Sequence, residues 1–260
     1  MQSGNAGFYH HLDLEGCRIL ADALGDTPET VDVVHLLRRG MCKAYVAGNP
    51  SRFDGAIVQP DDWPAEPTGF GSDAQVLWEL LRAVEGWDCI LVHSECAPVL
   101  GAIIEREMGV RVRYVDEVCH VLNRPLMTFH HEAVRQIGVA DLELLQSAPP
   151  EFRASLWGSC HPLLSDGFVA CAVVSGQIVA TALTAARSER YADIGVYTHE
   201  DFRCRGFATA AASIVTKRVQ EAGQTPVWSA DADNPPSLRV AHKLGFTEVS
   251  RRTYVILDQQ

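Results

Sequence analysis

Arg203 and Arg205 flank Cys204 in the stretch DFRCRGFATA, residues 201–210. Gly206, Phe207, Ala208 and Thr209 follow, and open an alanine-rich run that continues to Gly223. Two forked cations, a bare backbone and a helix start suit a phosphorylated ligand. The first amides of a helix have no intrahelical partner and sit at the positive end of its dipole, so they bind anions. Glycine lets a phosphate approach the backbone. Arginine adds charge and paired donors, and Thr209 offers a hydroxyl in the first turn. The spacing excludes two common nucleotide sites: no GK[ST] is present, and no GxGxxG with an acidic ribose partner. What remains is a pyrophosphate seated on a strand, an arginine–glycine turn and a helix.

The elements around this turn must position it. GFVACAVVSGQIVATALTAA (167–186) reads as a hairpin about Ser175-Gly176, and YADIGVYT (191–198) as a third strand. Residues 206–223 read as a helix, because alanine is the best helix former and Gly223 suits its end. PVWSADA (226–232) is a strand. Asn234 caps a short helix that Pro235 opens and Gly245 closes, and 246–257 end the chain with strand character. Upstream, 133–145 read as a strand and a helix start with Asp141 as its N-cap. The first half holds helices at 12–24 and 29–40, strands at 43–48 and 54–59, and a Pro/Asp/Gly-rich loop. A helix at 74–84, a strand at 89–93, a helix at 97–109 and a strand at 110–118 follow. This order matches that of 177–257, with Gly69-Phe70-Gly71 in the place of Gly206-Phe207-Ala208. It implies an internal duplication joined near 122–132, although any α/β chain alternates in this way.

YTHEDFRCRGFATA resembles the acetyl-CoA loop of the GNAT superfamily of N-acetyltransferases, R/Q-x-x-G-x-G/A, with Arg203, Gly206 and Ala208 at its fixed positions. WSADADNPPSLRVAHKLGF (228–246) resembles the second signature of that superfamily, an asparagine, a helix and K-L-G-F. The resemblance covers roughly 133–258. With a preceding half of this kind, the chain is most similar to two-part acetyltransferases related to zwittermicin A resistance proteins. The resemblance implies an α/β (α+β) GNAT fold, a mixed twisted sheet flanked by helices and preceded by a degenerate GNAT-like half. The domains would be 1–130, shaping the substrate cleft, and 131–260, binding acetyl-CoA as co-substrate between the strands 191–198 and 226–232. The pantetheine arm would pair with Tyr197 and Thr198, the pyrophosphate would sit on Arg203 to Thr209, and Asn234 would lie near the arm or simply cap its helix.

Acetylation of an amine needs a neutral nucleophile, a polarised carbonyl and a stabilised leaving thiolate. Proximity and electrostatics supply most of the effect. Many members of the superfamily carry a tyrosine acid where this chain has Ala241. Tyr197, Ser237 and His242 are the possible substitutes, and a thiolate also leaves unassisted. Asp193 or Glu189 could accept the amine proton, as could a chain of water. Strand alternation places Asp193 on the face of Tyr197, where it could equally serve as a structural hydrogen-bond partner. Asp193 and Tyr197 are therefore the candidate catalytic pair.

His130-His131-Glu132 and His10-His11 invite a metal, but adjacent histidines on a strand point to opposite faces, so no metal is expected. The 260 residues are 47% hydrophobic and 21% charged, which allows a sizeable core. A net charge of −11 speaks against nucleic acid as a partner. No apolar run approaches a membrane span, so no membrane partner is expected. The N-terminal residues lack an export pattern and the eight cysteines stand singly, so reduced thiols in the cytoplasm are expected. The expected function is acetyl transfer to a primary amine, the substrate being a small molecule. A protein or peptide amine and a non-catalytic acyl-CoA-binding module are the alternatives, and oligomeric state is left open. The loop with Asp61, Asp62, Glu66 and Asp73 lacks the arginines and would repel pyrophosphate, so cofactor binding is not expected in the first half.

Overall fold

The computed structural model describes residues 10–258. The chain runs β1 (His10–His11), α1 (Leu14–Leu24), α2 (Val31–Arg39), β2 (Cys42–Asn49), β3 (Arg52–Pro60), β4 (Thr68–Phe70), α3 (Ala74–Leu81), β5 (Cys89–His93), α4 (Ala97–Met108) and β6 (Val112–Val121). It continues with β7 (Val134–Ile137), α5 (Leu142–Gln146), α6 (Cys160–Asp166), β8 (Val169–Val174), β9 (Gln177–Arg187), β10 (Tyr191–Thr198), α7 (Phe207–Glu221), β11 (Thr225–Asp231), α8 (Pro235–Leu244) and β12 (Thr247–Leu257). Residues 1–9, which carry much of the expectation about export, lie outside the described range.

Contacts divide the chain into two compact units. The first holds 10–25, Leu36–Glu117 and 251–258, and the second Asp26–His35 and Val118–Ser250. This division differs from a single cut after residue 130, and strand pairing gives the reason. In the first unit the strand order is β1-β2-β3-β4-β5, followed by β12, whose Arg252–Ile256 pair antiparallel with Cys89–His93. In the second it is β7-β8-β9-β10-β11, followed by the 118–121 end of β6. Each half of the sequence thus has the end of its final strand in the unit built mainly from the other half.

Within the second unit, Ser175 (φ 51°) and Gly176 (φ 80°) make the two-residue turn of the β8–β9 hairpin. β10 runs antiparallel to β9 along its length. It is parallel to β11 only where Tyr191, Ala192 and Asp193 face Thr225, Pro226 and Val227, so the two strands part beyond Asp193. α7 lays Ala210, Ala211, Ala212, Val215 and Val219 on a core with Ile194 and Trp228. The short alanines let helix and sheet approach closely. Trp228 is 1% exposed, and a large side chain buried in this way contributes about 1.5–3 kcal/mol.

Several expectations are corrected. Residues 68–70, expected in a loop, form β4 between β3 and β5. The strand is short and its centre is Gly69, where a Cβ would come within 3.0 Å of Val92 and 3.1 Å of Ile90. Gly69 is therefore a strand residue under tight packing, and Gly69-Phe70-Gly71 is not the counterpart of the Gly206 turn. α6 was not foreseen. His130 and His131 lie in an irregular segment rather than a strand. Asp141 precedes α5 as expected, but its carboxylate accepts from Arg135 at 2.6 Å and from the Gly138 amide at 3.1 Å instead of capping the helix.

Candidate active site

After β10 the chain makes a 3-10 turn at Glu200–Phe202 and passes extended through Arg203. Cys204 (φ 60°) and Gly206 (φ 86°) are both left-handed, which turns the backbone sharply into α7. Gly206 is the N-cap residue and offers no side chain to the helix start. The amides of Phe207, Ala208 and Thr209 accordingly face outward without an intrahelical acceptor. No atom lies within 4 Å of a Cβ built on Gly206, so its approach side is open. Arg203 Nε donates to the Thr198 carbonyl at 3.3 Å, which ties the turn to the end of β10. Arg205 donates to the Asp201 carbonyl at 2.9 Å and stacks 5.1 Å over Phe202.

This turn forms one wall of a cavity of about 460 Å³. Val196, Tyr197 and Thr198 form a second wall, on the side of β10 that has lost its β11 partner. α8 forms the third. Asn234, at its start, accepts from the Ser237 amide at 3.2 Å, as an N-cap should. The residues expected to hold acetyl-CoA, Tyr197, Thr198, Arg203 to Thr209 and Asn234, all line this one cavity.

The candidate catalytic residues are placed differently. Asp193 sits four residues back on β10, 7% exposed, in the ladder between Ala186 and Val227, and does not line the cavity. Glu189 is exposed in the preceding loop and is likewise outside it. The ring of Tyr197 packs edge-on to Phe152 at 4.8 Å, with the apolar cluster around α5 and α6. Ala241 is fully buried in the core. His242 lies outside the cavity, its ring 5.6 Å from that of His120. Ser237 does line it, and its hydroxyl accepts the indole N–H of Trp228 at 3.0 Å.

Val196, Phe202, Pro236, Arg239, Val240 and Lys243 also line the cavity and were not expected there from the sequence. The α8 residues among them recur at helical spacing from the Asn234 cap, which is the signal that could have found them. Among the described residues lining the cavity there is no carboxylate and no histidine. Among the described residues no three potential metal ligands cluster, and no helix is long and apolar enough to cross a membrane.

The corresponding place in the first unit is built otherwise. β4 and β5 are also parallel, joined where Thr68 faces Leu91. There Arg252, 6% exposed, donates to the carbonyls of Gly69 at 3.1 Å and Leu91 at 3.2 Å and stacks 4.9 Å over Phe70. The start of α3 is covered by Asp73, whose carboxylate accepts from the amides of Gln75 and Val76. A side-chain anion thus already occupies that helix start, and a side-chain cation bridges the two strands.

Residues 131–256 match the family model of the GNAT acetyltransferases. The uncharacterized N-acetyltransferase YdfB of Bacillus subtilis (strain 168) is 29% identical over 97 residues, which span 37% of each protein. The crystal structure of a GCN5-related N-acetyltransferase-like protein from Streptococcus suis 89/1591 superposes with a TM-score of 0.69 at 21% identity, covering 94% of this chain and 99% of that one. A putative acetyltransferase of the GNAT family from Novosphingobium aromaticivorans gives 0.60 at 19%, covering 90% and 100%. A tandem GNAT protein from the clavulanic acid biosynthesis pathway gives 0.55 at 14%, covering 95% and 97%. These likenesses speak to the fold, which is the GNAT fold, and their span accords with a two-part arrangement.

Proposed function

We propose that this chain is, through residues 131–256, an N-acetyltransferase of the GNAT family whose model it matches there, and that it acetylates a primary amine of a small molecule with acetyl-CoA as co-substrate. One observation carries the reading. An uncapped helix start, two arginines and a strand edge freed from its neighbour converge on a single cavity. Each meets a different part of acetyl-CoA. The amides of Phe207, Ala208 and Thr209, with Arg203 and Arg205, suit the pyrophosphate. The free edge of β10 at Val196–Thr198 suits the amides of the pantetheine arm, and Asn234 faces the same space.

When bound, acetyl-CoA supplies the activated acetyl thioester. The chain contributes position and charge. A β10 backbone N–H beside the cavity can polarise the carbonyl. Ser237 can donate its hydroxyl proton toward the leaving sulfur, since that hydroxyl oxygen already accepts from Trp228. The substrate attacks as the neutral amine, the C–S bond breaks as the C–N bond forms, and the proton lost from nitrogen replaces the one Ser237 gives to the sulfur, directly or through water, since no carboxylate or histidine lines the cavity among the described residues.

Two features support a small cationic amine as the acceptor in solution. The chain is acidic overall, and its two-part plan resembles acetyltransferases related to zwittermicin A resistance proteins. A cytoplasmic setting fits the free thiols of all eight cysteines. The test is calorimetric titration of the full chain with acetyl-CoA, with ATP and NAD beside it, followed by thiol release over a panel of amines. Selective binding of acetyl-CoA with amine-dependent thiol release is the expected result. Binding without turnover on any amine would leave an acyl-CoA-binding module, and no binding would overturn the reading.

A further inference from the structure

One stripe of α8 faces the cavity, and it carries Arg239 and Lys243, one helical turn apart. Both side chains are exposed, and neither has an acidic partner among the described residues. The cations on α7 differ: Lys217 and Arg218 both pair with Glu221, at 3.7 Å and 2.9 Å. Lys243 Nζ is also held in place, 4.9 Å from the ring centroid of Phe129. Phe129 is anchored in turn, because its amide donates to Ser213 Oγ at 3.0 Å. Lys243 stands in the last turn of α8, where a cation also complements the helix dipole, but Arg239 does not. In a chain of net charge −11, two unpaired cations facing one cavity indicate a further anionic group in its ligand.

The charges on the ligand can be matched one by one. The α7 amides with Arg203 and Arg205 account for a pyrophosphate. The ribose 3′-phosphate of acetyl-CoA is a phosphomonoester, with a charge of about −1.5 to −2 near neutral pH. We infer that Arg239 and Lys243 bind this 3′-phosphate and make the chain selective for 3′-phosphorylated CoA over 3′-dephospho-CoA. The inference rests on the acetyl-CoA reading of the cavity and adds to it which part of the ligand α8 recognises. Forked donors on Arg239 and a point charge on Lys243 suit a terminal phosphate with free oxygens.

The experiment is calorimetric binding of CoA and of 3′-dephospho-CoA to the full chain, as wild type, Arg239→Met, Lys243→Met and the double variant. Methionine keeps the apolar stem and good helix propensity while removing the charge. The wild type should bind CoA at least about 10-fold more tightly than 3′-dephospho-CoA, as expected for charge-assisted hydrogen bonds. The double variant should bring that ratio close to one and leave the affinity for 3′-dephospho-CoA within about 3-fold of wild type. Rising salt should narrow the wild-type ratio. A ratio unchanged in the double variant overturns the inference and marks the two cations as solvated surface charges. An equal loss for both ligands also overturns it, since the cations would then serve the shared pyrophosphate. A wild type that binds neither ligand overturns the acetyl-CoA reading itself, which is a distinguishable failure.

Discussion

The hydroxyl oxygen of Ser237 accepts the indole N–H of Trp228 at 3.0 Å. An indole nitrogen is a donor only, so Ser237 keeps its own proton to give, and the residue lines the cavity. One turn further along α8, Ala241 is buried and has no proton to offer. Ser237→Ala should therefore lower kcat about 10-fold while the KM for acetyl-CoA changes little, an effect of about 1.4 kcal/mol on the barrier. It should also lower thermal stability, because losing the acceptor of a buried N–H costs about 1–3 kcal/mol. Ser237→Thr, which restores a hydroxyl, should recover both. A fall in melting temperature with unchanged kcat would reduce Ser237 to a packing partner of Trp228.

Arg205→Glu should raise the dissociation constant for acetyl-CoA more than about 10-fold, since it replaces an attraction with a repulsion beside the helix start. Gly206→Ala tests the backbone separately. Gly206 is at φ 86° with open space about its Cβ direction, so an alanine costs only the left-handed strain, about 1–2 kcal/mol. Both variants should keep a native circular dichroism spectrum. Unchanged affinity by calorimetry in the two folded variants would remove the pyrophosphate role from the turn.

Calorimetry should also return one acetyl-CoA per chain. In the first unit the place between β4 and β5 holds the guanidinium of Arg252, and the start of α3 is capped by Asp73. The buried Arg252 hydrogen bonds cost more to break than one exposed anion contact returns. A stoichiometry of two would show that Arg252 gives way to ligand. A stoichiometry of one that Gly206→Asp abolishes would place the single site on α7.

The parts of the fold legible in the sequence are those fixed by local physics. Ser175-Gly176 and the Asn234-Pro235 cap with Gly245 at the far end mark boundaries through backbone conformation, which each residue type carries with it. The turn into α7 was legible for the same reason, since the left-handed backbone at Gly206 follows from its absent side chain. What was not legible depends on distant residues. β4 exists because Gly69 is clasped between β3 and β5, and its three residues look like any loop. The pairing of β12 with β5 is a choice of partner that the alternation of β12 does not specify. The Ser237–Trp228 bond and the α8 lining required knowing which face of α8 meets the cavity. Asp193 shares a strand with Tyr197, yet the separation of β10 from β11 begins just beyond it, and no local signal marks that point.

His120 makes the fold sensitive to acid. It is 1% exposed on β6, its Nδ1 has no hydrogen-bond partner among the described residues, and its ring lies 5.6 Å from that of His242. Burial penalises the imidazolium and His242 adds a like charge, so its pKa is lowered, with Glu248 and hydrogen bonding to the Val118 and Trp228 backbone opposing more weakly. In the unfolded chain the group titrates near its ordinary value of about 6.5. Below that pH the unfolded state takes up the proton more readily than the folded one. The contribution of neutral His120 to stability is therefore complete above about pH 6.5 and is lost as pH falls toward the lowered folded value. Thermal midpoints should drop between pH 7 and pH 5, and the drop should be smaller in His120→Phe, which fills the site without a titrating nitrogen. His242→Gln, at an exposed position, removes only the like charge and should shrink the drop in part. An equal drop in wild type and both variants would assign the acid sensitivity to other groups.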